Sequence, residues 1–174
     1  MNFLVPIVLG IDPGLNITGY GVLEVAAGGP IVREAGVVRG KTKDSLTARL
    51  REIHDGVCEV IEALKPDVVA IEQLYSHYER PRTAILMGHA RGVICLAAAK
   101  AGLEVVNYAA TQVKKTLTGN GHASKEQMQH AVRFELKLAT VPEPADVSDA
   151  LAIALCHYYS NREWAALARR PAHR

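Results

Sequence analysis

Two short apolar runs that each end in a carboxylate constrain the fold of this chain more than any other feature. Residues 7–11 are almost entirely apolar and lead into Asp12, and residues 68–71 are apolar and lead into Glu72. An uninterrupted apolar run of this length is typical of a strand that is covered on both faces. If the two strands are neighbours in one sheet, Asp12 and Glu72 emerge at the same end, where open α/β sheets bind their ligands.

The rest of the hydropathy pattern predicts a mixed α/β sheet. Further β-favouring runs lie at 18–25, 31–39 and 103–108, and helical patterns lie at 46–64, 81–100, 109–117, 124–138 and 146–159. The first three strands are close enough in sequence to form an antiparallel meander. The strand-helix-strand passages of the second half require parallel crossovers. We therefore expect a five-stranded mixed sheet flanked by helices.

Local signals mark where several of these helices begin and end. Asp44 is placed to cap the first helix, and Pro66 stands just beyond its end. Ser124 and Gln127 have the spacing of a capping box. Both features predict helix starts that do not depend on tertiary contacts.

The helix predicted at 81–100 carries small residues on one face. Ala84, Gly88 and Gly92 recur at a spacing of four, which places them in line. This face permits a close approach either to the same helix of a second copy or to the protein's own sheet. The sequence leaves both alternatives open.

Size and charge are those of one globular domain. The chain has 174 residues, of which 49% are hydrophobic and 22% charged. We expect a domain at 1–160 and a basic tail at 161–174, because four of the last thirteen residues are arginines. No apolar run reaches the ~18 residues needed to cross a bilayer. Residues 1–11 lack the features of a signal peptide, so we expect a cytoplasmic protein without a membrane partner.

The cysteines and most of the basic residues have ordinary interpretations. Cys58, Cys95 and Cys156 form no Cys-x-x-Cys pair, which favours buried reduced thiols over a disulfide or a zinc site. Lysines and arginines cluster at 33–51 and at 80–91, and again at 114–137. Such clusters gain a meaning beyond solvation only if they flank a site for a polyanion.

Two more acids complete a candidate site. Asp146 and Asp149 are three residues apart on the last helix and share a face. Asp12, Glu72, Asp146 and Asp149, called here the acidic quartet, would repel one another unless cations lay between them. Magnesium suits such oxygen ligands, and the lack of histidine and cysteine disfavours zinc. Each acid alone is as easily a helix cap, a turn residue or an exposed strand end; the combination favours a metal site.

The blocks that carry these acids resemble the RuvC family of bacterial Holliday-junction resolvases. The matching blocks are VLGIDPG at 8–14, TGYG at 18–21, AIEQ at 70–73, ARGV at 90–93 and DVSDALAIA at 146–154. They occur in the family's order and span nearly the whole chain. The resemblance implies a ribonuclease-H-like fold and a crossover junction endodeoxyribonuclease active in DNA recombination and repair. It also implies that the acidic quartet coordinates two Mg²⁺ ions, for which Mn²⁺ substitutes.

The resemblance extends to other side chains. Lys114 and Lys125 match two lysines that assist phosphate binding and catalysis, whereas Lys115 and Arg133 are auxiliary surface charges. Tyr75 falls where the family often has a phenylalanine that stacks near the junction crossover, and a tyrosine ring stacks on bases equally well. Tyr75 could instead cover the end of the sheet.

The resemblance further implies a homodimer that makes paired nicks in a four-way DNA junction, together with the RuvA–RuvB branch-migration complex. Hydrolysis would follow the two-metal route, in which one ion activates water and the other stabilises the leaving 3′ oxygen. A twofold-symmetric dimer would present one site to each of two equivalent strands.

Three alternative functions share parts of this pattern. An RNA-processing nuclease of the same fold, similar to YqgF relatives, is disfavoured by the Asp-x-x-Asp helix and by the full-length match. A sugar-kinase or actin-type ATPase needs two such domains, and 174 residues supply one. A junction-binding protein without catalysis is disfavoured by the intact acidic quartet.

Overall fold

Five strands and five helices make up the part of the chain that the computed structural model describes, which is residues 5–40, 43–74, 81–161 and 164. In chain order they are β1 (Ile7–Asp12), β2 (Ile17–Ala26), β3 (Gly29–Arg39), α1 (Leu46–Leu64), β4 (Val68–Glu72), α2 (Pro81–Lys100), β5 (Glu104–Tyr108), α3 (Ala110–Thr118), α4 (Lys125–Glu135) and α5 (Ala145–Ser160). Each predicted element is present, with bounds that differ by a few residues.

The strands form one mixed sheet in the order β3-β2-β1-β4-β5. The pairs β1–β2 and β2–β3 are antiparallel, whereas β1–β4 and β4–β5 are parallel. Ile11 pairs with Ile71, so Asp12 and Glu72 leave the sheet at the same end. The predicted meander and the predicted adjacency of the two acid-bearing strands are both confirmed.

Helices cover both faces of the sheet. On one face, Leu9 and Ile11 pack in a cluster with residues of α1 and α2 such as Ile53 and Ile94. On the other, Val8 packs with residues of α3, α4 and α5. Successive residues of β1 thus point into two different cores, which explains why its sequence is apolar throughout rather than alternating.

The helix ends confirm one capping prediction and correct others. Gln127 N donates to Ser124 Oγ at 3.2 Å, and Ser124 N donates to Gln127 Oε1 at 2.8 Å, which completes the capping box. Asp44 does not cap α1, because the residue directly before the helix is Ser45, whose Oγ accepts from Ala48 N. The helix predicted to reach residue 138 ends at Glu135. Two residues later, Lys137 has a φ of 53°, which is a left-handed conformation that does not continue a helix.

The last helix lies unusually close to the sheet. A Cβ atom at Gly10 would stand 2.3 Å from the Ala150 carbonyl oxygen, and one at Gly19 would stand 2.0 Å from the Asp146 carbonyl oxygen. Any larger residue at either position would push α5 away. Two glycines in the middle of β-strands therefore determine how deeply α5 packs, and with it where Asp146 and Asp149 lie.

Three further predictions concern membrane spans, the cysteines and the C-terminal tail. None of the described helices is long and apolar enough to cross a membrane. All three cysteines are free, but only Cys156 is buried, whereas Cys58 and Cys95 are half-buried against the core. Of the predicted tail, only Asn161 and Trp164 belong to the described residues, so the boundary at residue 160 stays a prediction.

Candidate active site

Asp12 is the most deeply placed member of the acidic quartet. It ends β1, in the centre of the sheet, and is followed by a turn that brings the chain back into β2. Burial raises the pKa of Asp12 to about 8, and the carboxylates of Glu72, Asp149 and Asp146 add to this effect. Lys125 opposes it. A carboxyl group with such a pKa lies in a place that favours a cation.

Glu72 lies at the end of the neighbouring strand. Burial raises its pKa, the charge of Asp149 raises it further, and Lys114 lowers it. Its main-chain carbonyl accepts a hydrogen bond from Arg91 Nε at 3.3 Å. Glu72 is thus linked electrostatically to α5 and α3, and through its backbone to α2.

The two aspartates of α5 reach the site from the opposite layer. The residue that precedes the helix is Pro144, and no side chain caps its start, so the alternative in which Asp146 is a cap is wrong. Asp146 instead lies in the first turn, directly above Gly19. Burial raises the pKa of Asp149, Lys125 lowers it, and Asp146 raises it. The pKa of Asp149 therefore depends on a charge of its own helix, α5, and on a charge of α4.

Lys125 and Lys114 are the cations of this site. Lys125 is the first residue of α4, and its Nζ lies 3.3 Å from Asp149 Oδ2. Lys114, on α3, is close enough to lower the pKa of both Glu72 and Asp149. These are the positions predicted for cations that assist phosphate chemistry.

Lys115 and Arg133 make none of the described contacts with the acidic quartet. Lys115 is exposed on α3, and Arg133 is exposed on α4, where its Nε donates to the Leu138 carbonyl. Both fit the prediction of auxiliary surface charges. Tyr75 lies outside the described residues, and its predicted stacking role stays a prediction.

A pocket of about 290 Å³ opens beside the site. Its polar wall comes from Glu72, Lys114, Lys125 and Asp149, and the remaining lining is largely apolar, from Ala110, Val113, Met128, Ala152 and Ile153. The strand end, α3, α4 and α5 therefore meet around one concave region that carries both carboxylates and ammonium groups. This is the arrangement needed to hold a phosphate between cations.

The chemistry of the donors fits a hard divalent cation. As the side chains stand, no three His, Cys, Asp or Glu residues among those described converge tightly enough to enclose a metal ion. Asp149 forms an ion pair with Lys125. The carboxylates of Glu72, Asp146 and Asp149 all raise the pKa of Asp12, so the four acids form one electrostatic unit. An all-oxygen set of this kind suits Mg²⁺ or Mn²⁺.

Two residues that shape this geometry, Thr18 and Gly19, were not predicted from the sequence. Thr18 is fully buried, and its Oγ1 donates to the Gly14 carbonyl at 2.7 Å, which fixes the turn after Asp12. Gly19 admits α5 to the sheet. Glycines within a strand signal close approach of another backbone, so the TGYG block contained a clue to this contact.

The fold and this site together define a class. A hairpin-led mixed sheet with acids at the ends of two central parallel strands, and a further acidic helix packed above them, is the ribonuclease-H-like fold of metal-dependent nucleases. The family model described as "Crossover junction endodeoxyribonuclease RuvC" matches residues 8–157. The chain belongs to the RuvC family of nucleases.

Several relatives align with this chain over most of their own length. The crossover junction endodeoxyribonuclease RuvC of Rhodopirellula baltica is 59% identical over 155 residues, covering 88% of this chain and 87% of the relative. The structure of Thermus thermophilus RuvC is 37% identical, with a TM-score of 0.81, and covers 88% of this chain and 95% of that one. The same protein in complex with a Holliday junction substrate is 36% identical, with a TM-score of 0.84, covering 91% and 96%.

Proposed function

We propose that this chain is a structure-selective endonuclease that resolves four-way DNA junctions by paired, metal-dependent nicks. The observation that carries the proposal is the likeness, at a TM-score of 0.84 and 36% identity, to T. thermophilus RuvC in complex with a Holliday junction substrate. The concave region lined by Glu72, Lys114, Lys125 and Asp149 would receive the scissile phosphate. Membership of this nuclease family implies dependence on a divalent metal.

The acidic quartet would hold the metal, which we propose to be two Mg²⁺ ions, with Mn²⁺ as a substitute. When bound, the ions would activate the attacking water and stabilise the leaving 3′ oxygen. Asp12 would be the central ligand, because it ends β1, the middle strand of the sheet, between the strand that carries Glu72 and the helix that carries the other two acids. Glu72 and Asp149 approach it from the neighbouring strand and from α5, and Asp146 completes the set.

The two lysines would hold the phosphate and balance the charge that develops during hydrolysis. Lys125 Nζ already lies 3.3 Å from Asp149 Oδ2, so this ammonium group can move from the carboxylate to a phosphate oxygen when cations neutralise the acids. Lys114 lies near Glu72 and Asp149. Lys115, exposed on the same helix, would add a phosphate contact outside the reacting centre.

Tyr75 would stack on a base near the crossover. Tyr75 follows Glu72, the last residue of β4, by three residues in the sequence. Stacking there would make cleavage depend on how the junction opens, while phosphate contacts dominate affinity. Selectivity would then appear mainly in the cleavage step.

A homodimer would present two such sites to one junction, and the outer face of α2 is the surface we propose for it. This face comprises Ile85, Gly88, Gly92 and Leu96. Ile85 is 63% exposed and Leu96 is 53% exposed, and a Cβ atom at Gly88 or Gly92 would meet nothing within 4 Å. The alternative in which Gly88 and Gly92 pack on the protein's own sheet is therefore wrong. Ala84, the third small residue, is half-buried.

By the same family relationship, we propose that the enzyme acts in the cytoplasm, with the RuvA–RuvB branch-migration complex as its partner. Neither proposal depends on the geometry of the active site.

The decisive experiment incubates the purified protein with end-labelled mobile and fixed four-way junctions, with and without Mg²⁺ or Mn²⁺. Symmetric nicks in two opposing strands, only with metal, are expected. Linear duplex and structured RNA serve as comparison substrates. Preferential cutting of RNA would favour the RNA-processing alternative, and tight junction binding without metal-dependent cutting would favour a scaffold.

A further inference from the structure

We propose that Arg91 is a positioning residue for the metal site, which holds the Glu72-bearing end of β4 and ties it to α2. The inference deepens the proposed function, because it concerns the same acidic quartet. Arg91 touches neither a phosphate site nor a carboxylate of the quartet in the described contacts. It would act through the backbone of Glu72.

The contacts of Arg91 span the ends of two parallel strands. Its Nε donates to the Glu72 main-chain carbonyl at 3.3 Å, and one of its terminal nitrogens donates to Asn107 Oδ1. Glu72 ends β4, and Asn107 is the residue before the end of β5. One rigid, planar guanidinium group therefore clamps both strand ends to α2.

Arg91 acts at the end of β4, one residue beyond the last one that pairs with β1. Past the β4–β5 ladder, Gln73 N donates to the Tyr108 carbonyl at 2.8 Å. The pairing of β4 with β1 stops at Ile71. Arg91 thus adds a donor at the carbonyl of the residue whose carboxylate must face Asp12.

Arg91 acts on Glu72 through the main chain. Its hydrogen bond is made to the Glu72 carbonyl oxygen and not to the carboxylate. A change at Arg91 should therefore alter where the Glu72 carboxylate stands. A poorly placed ligand weakens metal binding and slows hydrolysis, as loss of an outer-shell partner does.

The test compares Arg91→Met, Arg91→Lys and Asn107→Ala with Lys100→Met, a matched loss of a cation at the far end of α2. Mn²⁺ affinity is measured without DNA by electron paramagnetic resonance, and the Mg²⁺ dependence of kcat is measured on a four-way junction. Arg91→Met should weaken Mn²⁺ binding about 10-fold and lower kcat by a similar factor. Junction affinity should stay unchanged. Arg91→Lys and Asn107→Ala should be intermediate, and Lys100→Met should match the wild type.

Wild-type Mn²⁺ affinity in a folded Arg91→Met variant would overturn the proposal. If that variant fails to fold, Arg91→Lys decides, because lysine keeps the charge but lacks the planar fork through which Arg91 reaches both Glu72 and Asn107. Full Mn²⁺ affinity and full kcat in Arg91→Lys would then contradict the clamp. If the wild type binds Mn²⁺ but cuts no junction, the proposed function fails, and the Mn²⁺ affinities still decide the role of Arg91.

Discussion

Gly19 lies directly beneath the backbone of Asp146, so close that a Cβ atom at Gly19 would stand 2.0 Å from the Asp146 carbonyl oxygen. The contact joins β2 to the first turn of α5, and it sets the height of Asp146 and Asp149 above Asp12. The absence of a side chain at residue 19 is thus a condition for the site. It also makes the site sensitive to a single methyl group.

Gly19→Ala should therefore displace the start of α5 and uncouple its aspartates from Asp12. We expect a loss of cleavage of about 100-fold, since a misplacement of ~1 Å is sufficient for that. The free energy of unfolding should fall by about 1 to 3 kcal/mol because the contact is overpacked. Cleavage assays and urea unfolding measure the two effects. Wild-type rates in Gly19→Ala would show that α5 does not need this contact.

Neutralising any acid of the quartet should abolish cutting while sparing junction binding. Asp12→Asn, Glu72→Gln, Asp146→Asn and Asp149→Asn each remove a metal ligand and also reduce repulsion of phosphate, so kcat should fall by at least about 100-fold. Binding, measured by gel shift without metal, should be equal or tighter. Glu62→Gln, on the exposed side of α1, is the matched control. A variant that cuts at the wild-type rate would remove its residue from the site.

Metal-free stability should depend on pH through Asp12. Its pKa is raised from 3.8 to about 8 in the folded protein, so the folded state keeps a proton that the unfolded chain has lost between these values. The free energy of unfolding therefore falls as pH rises through this window. Asp12→Asn should melt a few degrees above the wild type near pH 8, where ~1 kcal/mol shifts Tm by ~2–4 °C.

The two proteins should converge only below pH 3.8, where the wild-type carboxyl group becomes protonated in the unfolded state as well as in the folded state. Mg²⁺ should stabilise the wild type at pH 8 and have little effect on Asp12→Asn. Calorimetry with and without Mg²⁺ checks both statements. Parallel Tm curves for the two proteins across this range would contradict the assignment.

Removal of Lys125 should impair catalysis and change its pH dependence. Because Lys125 lowers the pKa of both Asp149 and Asp12, Lys125→Ala raises both pKa values and should reduce cleavage most at acidic pH. Lys114→Ala should do the same through Glu72. Each loss of a phosphate contact should also reduce the salt slope of binding by about 1. Lys115→Ala should weaken binding without moving the pH profile, and a shifted profile there would contradict its auxiliary role.

A charge on the outer face of α2 should separate the proposed dimer. Ile85→Asp would bury an unpaired carboxylate if two copies of this helix pack together, so the sedimentation coefficient should fall to that of a monomer. Gly88→Leu should act by steric exclusion. Ile31→Asp, at a side chain of β3 that is 55% exposed, is the matched control. A variant that stays dimeric, with normal circular dichroism, would place the interface elsewhere.

Much of this protein was readable from its sequence, because the informative signals were local. The runs before Asp12 and Glu72 are apolar throughout since β1 and β4 are covered on both faces, and that continuity predicted their central place. The capping box at Ser124 was readable because its hydrogen bonds join residues three apart. Asp44 was mistaken for a cap because Ser45, one residue later, is equally suited, and only the helix start at Leu46 distinguishes them.

Tertiary structure alone decided the features that depend on contacts between distant segments. The depth of α5 depends on Gly19 and Asp146, which are far apart in sequence and meet only after the sheet forms. The clamp of Arg91 on the Glu72 carbonyl depends on the direction in which α2 crosses the strand ends. The sequence determined which residues are acidic and which strands are buried, because those follow from side-chain chemistry and periodicity. The distances between them arise from packing, which no local pattern encodes.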